Sequence, residues 1–178
     1  MTPTPAPDFL KVITFTVASQ PLALPLAQGK DSPFPVVQRV IHSPVSLNHH
    51  PLQLLHWEDQ DVIILNLHSL STPAQAIPPF LILVQTPNQE CYGIPVSDPP
   101  SLLELPLATI RPLPPSYAQR DPLGMASYIA VLPQSGDPLI LFLLDLNRAL
   151  QVLSQPPTPP SGLSPAAGSP PTRDPFLL

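Results

Sequence analysis

The chain reads as an all-β protein built twice, and two observations carry that reading. Residues 139–147, LILFLLDLN, form an unbroken apolar run closed by an acid, a leucine and a polar residue, and residues 62–68, VIILNLH, repeat the pattern in shorter form. Continuous runs of β-favouring residues describe strands covered on both faces as they leave a small barrel. The second observation is the placement of the 31 prolines, most of which sit between apolar runs. Proline fixes φ and lacks an amide donor, so it interrupts helices and marks strand ends, turns and edges. Long helices are nearly excluded, and two similar lobes of short strands are predicted.

Taken in order, the segments between these breaks read almost entirely as strands. Phe9 to Val17 alternates, with Val12, Thr14 and Thr16 opposite Phe9, Lys11, Ile13, Phe15 and Val17, the pattern of a half-buried strand. Pro21 to Leu26 and Val36 to Ile41 follow, separated by an exposed turn through Gly29, Lys30, Asp31 and Ser32. Pro51 to Trp57 reads as a short helical turn, and Asp61 to Leu67 as a strand. Phe80 to Thr86 and Cys91 to Val96 flank a polar Asn88-Gln89-Glu90 turn and form a hairpin. Ser101 to Leu105 and Ala108 to Leu113 are short, and Ala126 to Leu132 and Pro138 to Leu144 flank a Ser135-Gly136-Asp137 turn. Leu146 to Ser154 is the one predicted helix, with Asp145 as its N-cap.

Composition narrows the function classes. With 43% hydrophobic residues, 178 residues can bury one large core or two small ones. Only 11% are charged and the net charge is -5, so no basic field exists to hold nucleic acid or an anionic membrane. The N-terminal MTPTPAPDF lacks the pattern of a secretory signal, and no apolar run approaches the roughly 20 residues that span a bilayer. Cys91, the sole cysteine, leaves no internal disulfide and fits a reducing, cytoplasmic compartment. Residues 1–8 are expected to be flexible. From Gln155 onward, QPPTPPSGLSPAAGSPPTRDPFLL has no apolar periodicity and reads as a disordered Pro-rich tail with polyproline character, in which Phe176-Leu177-Leu178 is the sticky part.

No catalytic or metal-binding constellation emerges. His49, His50 and His56 form the densest histidine group, but adjacent residues of an extended chain point in opposite directions, and no acidic ligand stands at a recognised spacing. Asp98 and Glu104 do not read as a carboxylate pair, and six glycines supply no phosphate loop. Cys91 reads as an inert thiol and Trp57 as a core residue that could also anchor a partner. The chain is expected to be neither an enzyme nor a cofactor protein.

The order and spacing of FLKVITFTV, VVQRVI, DVIILNL, ECYGIPVSD, IRPLP and LILFLLDLNRAL resemble a CheW-like domain over about Phe9 to Leu153. The resemblance implies two intertwined five-stranded SH3-like β-barrels with a short C-terminal helix over residues 9–154. It also implies a non-enzymatic adaptor that couples the cytoplasmic tip of a chemoreceptor to a CheA-type histidine kinase. The family usually carries a Gly-x-x-Asn-leucine-Arg-Gly stretch before its buried strand. Aligning Asn66-Leu67 with the family's Asp-Leu puts Glu58 at the arginine, Asp59 at the following glycine, His56 at the asparagine and Gln53 at the first glycine. Arg39 stands where the family commonly has glutamate. Acid and base are exchanged, which leaves three readings, a reciprocal Arg39–Glu58 pair, altered partner charges or two solvated surface charges, and predicts a turn at Asp59 that is reshaped if it needs φ > 0. The partner-binding candidates are therefore Arg39, Trp57, Glu58, Asp59 and Asn66. Two function classes follow: the signalling adaptor, and a diverged interaction module that kept the fold and serves another complex.

Overall fold

In a computed structural model, which describes residues 8–42, 50–70, 78–118, 121 and 123–155, the chain forms two sheets, one of which is inserted whole in the sequence between strands of the other. His49, residues 1–7 and residues 156–178 lie outside the described residues. Sheet A orders β8 (Ser101–Pro106), β1 (Phe9–Val17), β2 (Gln20–Pro25), β11 (Leu139–Leu144), β10 (Ala126–Leu132) and β9 (Ile110–Pro112). Sheet B orders β3 (Val36–His42), β6 (Phe80–Gln85), β7 (Cys91–Val96), β5 (Gln60–Leu65) and β4 (Leu52–Trp57).

Apart from β9, a sixth short strand beside β10, the two sheets repeat each other. Each has an edge strand antiparallel to a hairpin, and the hairpin's second strand is parallel to one arm of another hairpin. In this repeat β8, β10, β11, β1 and β2 correspond to β3, β4, β5, β6 and β7. The chain begins in sheet A, builds all of sheet B, and returns to complete sheet A, so the lobes are intertwined as expected.

The apolar runs explain why. In β11, Leu141 and Leu143 point into a core private to sheet A, with Leu10, Val12, Ala23, Leu105 and Ala130, while Phe142 and Leu144 point into a core shared by both sheets. In β6, Leu81 and Leu83 likewise face a core private to sheet B with Val62 and Ile64, while Ile82 and Val84 face the shared core. A strand with cores on both faces needs an unbroken apolar run, because period-two alternation would place a polar side chain in one of them. β1 also departs from the half-buried expectation on these grounds: Leu10 and Val12 serve the private core, and Ile13, Phe15 and Val17 the shared one.

Each sheet curls on itself. Leu105 on edge strand β8 and Ala130 on β10 meet in the same core of sheet A, and Ile41 on β3 packs with Leu55 and Trp57 on β4 around the core of sheet B. Gly93 on β7 makes the approach inside sheet B possible: a Cβ there would lie 2.6 Å from Ile64 Cδ1 and 3.1 Å from Leu81 Cδ1.

One local expectation is corrected. Residues 52–57 form a strand rather than a helical turn, with every residue from Leu52 to Trp57 paired in register with β5. Leu52, Leu54, Leu55 and Trp57 fit either period. The pairing decides, because β4 closes the private core with Leu55 and Trp57. Residues 107–109 form a 3-10 turn ahead of β9, and a single helical turn, α1 (Pro115–Ala118), begins on Pro115, where a missing amide costs nothing. Helix α2 (Leu146–Ser154) has the expected N-cap: Asp145 Oδ1 accepts from the amides of Asn147 at 2.9 Å and Arg148 at 3.2 Å.

Candidate functional site

Two surfaces gather the functional candidates. The first is the seam where the edge strands of sheet B approach. β4 and β5 are joined by a two-residue turn at Glu58-Asp59, with φ of 43° and 65°. Two consecutive left-handed residues give the turn the twist a hairpin requires, but only glycine and, less well, asparagine and aspartate adopt this backbone without strain. Asp59 fits that requirement better than Glu58.

Arg39 follows an irregularity in the β3–β6 ladder between Val37 and Arg39, which sets its side chain towards the seam. Its Nη1 donates to Glu58 Oε1 at 3.1 Å and to Oε2 at 3.5 Å. The reciprocal pair predicted from the exchanged charges is present, and it spans the seam from β3 to the β4–β5 turn. Both side chains are more than half exposed, at 57% and 63%, so the pair contributes only about 0–1 kcal/mol to stability. Trp57 is half-buried against the private core of sheet B, and its indole Nε1 is buried without a hydrogen-bond partner among the described residues. A second exposed pair lies on the same hairpin, His56 Nδ1 to Asp61 Oδ1 at 3.0 Å.

Arg39, Trp57, Glu58 and Asp59 are thus brought together. Asn66 is not: it follows the far end of β5, about 20 Å along the strand from the turn. Its backbone carbonyl accepts from the Ser69 amide at 3.1 Å and from Ser69 Oγ at 2.6 Å, which starts the 3-10 turn Leu67–Leu70. His68 in that turn has its pKa lowered by burial, partly opposed by a hydrogen bond with the backbone of Pro95.

The second surface is a groove of about 800 Å³ between the lobes. Leu107 comes from the 3-10 turn after β8, Tyr128 and Leu143 from sheet A, Asp145 from the N-cap of α2, and Leu146 and Leu150 from α2, while the other wall carries Pro33-Phe34-Pro35 together with Pro87, Glu90 and Tyr92. Phe34, Leu107 and Tyr128 are 37%, 49% and 50% exposed. Large apolar side chains left open in one concavity are the usual mark of a binding surface. The charged residues of the lining are Glu90 and Asp145, both acidic. Tyr92 Oη donates to Glu90 Oε2 at 3.0 Å, and burial, aided by that bond and the nearby carboxylate, pushes its pKa up to about 12. At the α2 end, Arg148 Nη1 donates to Ser127 Oγ and to the Ala126 carbonyl, both at 3.2 Å, and Ser127 Oγ donates to Asp145 Oδ2 at 3.5 Å. These contacts hold the strand and helix ends together.

The resemblance implies a groove between the barrels that takes a receptor's helical tip, but none of the residues lining this groove is among the partner-binding candidates read from the sequence. Its exposed aromatics come from three distant segments, and the available signals were local: Phe34 between two prolines, and Tyr128 in ASYIAVL. Among the described residues, no three His, Cys, Asp or Glu side chains group as metal ligands, and no helix is long and apolar enough to cross a membrane.

No protein-family model matches the chain, and no curated protein matches it. The fold is CheW-like. The chain superposes on the scaffolding protein TtCheW from Thermoanaerobacter tengcongensis with a TM-score of 0.51 over 82% of this chain and 89% of that one, at 13% sequence identity. At that identity the likeness speaks to architecture, and the function has to be argued from the surfaces.

Proposed function

We propose that the protein is a non-enzymatic signalling adaptor of the cytoplasm, coupling a chemoreceptor's cytoplasmic tip to a CheA-type histidine kinase in chemotaxis or pilus motility. The observation that carries the reading is the apolar groove between two intertwined lobes, in an architecture shared with a protein described as a scaffold. A groove bearing Phe34, Leu107 and Tyr128 suits the apolar face of an amphipathic helix, and edge strands suit a homologous domain. The seam of Arg39, Trp57, Glu58 and Asp59 is proposed as the second partner surface. The test is affinity capture with the purified protein as bait and with Tyr128→Ala as control. Enrichment of a CheA-type kinase or a chemoreceptor, lost for the receptor in the control, supports the adaptor; enrichment of neither overturns it.

A second reading is favoured by the seam. The Arg39–Glu58 exchange reverses the charges a kinase or receptor surface would meet, and Asp59 replaces the expected glycine in the turn. On this reading the protein is a diverged CheW-like interaction module outside a receptor array. Restored binding in the double variant Arg39→Glu/Glu58→Arg, after loss in each single variant, would favour pairing across the seam; additive losses would favour two independent partner contacts.

A further inference from the structure

We infer that the inter-lobe groove is occupied in cis by the chain's own Pro-rich C-terminal segment, residues 156–178, so that any partner must displace it. This rests on the reading of the groove as a binding surface and concerns its regulation. The first argument is the chemistry of the lining. Exposed Phe34, Leu107 and Tyr128 line the groove, an apolar concavity with two open aromatic rings of the kind that accepts polyproline II segments. Residues 156–178 include eight prolines, among them Pro156-Pro157, Pro159-Pro160 and Pro170-Pro171. Such a segment loses little entropy on docking, because its φ angles are already restricted and its backbone makes no internal hydrogen bonds to be broken.

The second argument is position and reach. Helix α2 lines the groove through Leu146 and Leu150 in its first half and releases the chain at Gln155, five residues or about 8 Å of helix beyond Leu150. Returning along the nine residues of α2 takes about 14 Å. The 23 residues from 156 to 178 span up to about 70 Å in polyproline II form, which leaves most of the segment to cross the groove. A segment tethered this closely acts at an effective concentration in the millimolar range, so weak contacts suffice.

The experiment compares amide and tyrosine-ring NMR spectra of the full chain with those of a full-length variant whose eight tail prolines are replaced by serine. It uses no partner, so its failure is independent of the failure of the adaptor reading. The expected result is a set of shifts at Glu90, Tyr92, Ser127, Tyr128 and Leu150, unchanged over a tenfold dilution. In the full-length Tyr128→Ala protein, the tail signals should narrow as the segment is released. Shifts confined to residues next to Gln155 would overturn the proposal. Groove shifts that disappear on dilution would also overturn it, because the occupant would then be the tail of a second copy.

Discussion

The parallel strand pair at the centre of each lobe is the most direct comparison within the molecule. In sheet A, Phe142 lies beside Leu22 and Leu143 beside Ala23; in sheet B, Ile63 lies beside Tyr92 and Ile64 beside Gly93. The registers match, but the aromatic ring has moved from one strand of the pair to the other. Each site therefore holds one aromatic and one aliphatic side chain, and each private core accepts one small residue. Packing constrains the sum of volumes more tightly than the assignment of volume to strands. The exchange also has a chemical consequence. Tyr92, unlike Leu22, carries a hydroxyl to the groove and bonds Glu90 there, so sheet B's copy of the site contributes to the groove lining.

The largest way to break this equivalence is Phe142→Ala, which empties a ring from the shared core and is expected to cost about 3–5 kcal/mol. Ile63→Ala, at the matching but half-buried position, should cost less, and urea denaturation of both variants measures the difference. Next comes Gly93→Ala. The new Cβ must push aside Ile64 and Leu81, and overpacking of about 1–3 kcal/mol is expected, seen as a lowered denaturation midpoint. Asp145→Ala removes the α2 cap for about 1 kcal/mol, visible in the melting temperature and far-UV dichroism.

Two titrations separate the lobes without mutating the core. The folded pKa of Tyr92 is raised to about 12 from 10.0, so above pH 10 the unfolded chain loses its proton first and stability falls as pH rises towards 12. Tyr92→Phe should remove that component, and Leu22 gives sheet A no equivalent. The folded pKa of His68 is lowered from 6.5, so its contribution is intact above pH 6.5 and declines as pH falls below it, where the unfolded state binds the proton first. Denaturant midpoints for His68→Gln against pH should be flatter there than those of the parent. Smallest is the seam: a double-mutant cycle on Arg39 and Glu58 should return about 0–1 kcal/mol, shrinking with added salt.

What was legible in the sequence follows from the same cores. LILFLLDLN and VIILNLH announced strands covered on both faces because no polar residue fits either side of β11 or of Val62 to Leu65 in β5. Asp145 announced α2 because a capping carboxylate ahead of an amphipathic run has few other uses. The β4 strand was not legible, since LQLLHW satisfies helical and extended periods equally and only its pairing with β5 decides. Arg39 and Glu58 were found through exchanged charges at corresponding positions. The residues of the groove stayed hidden because Phe34, Tyr92, Leu107 and Tyr128 come together only once the two lobes are assembled, and no local spacing encodes that meeting.

The insertion of sheet B between strands of sheet A also governs how the chain folds. The β1–β2 hairpin leaves the ribosome first, yet its neighbours β8 and β11 lie in residues 101–144, so its edges stay unpaired while the whole of sheet B is synthesised. Sheet B can assemble from residues 36–96 alone, whereas sheet A must wait for its second half. The β11–β2 pairing joins residues more than 100 apart in sequence, a non-local contact of the kind that slows folding, and until it forms the edges of the hairpin stay open to pairing with other chains.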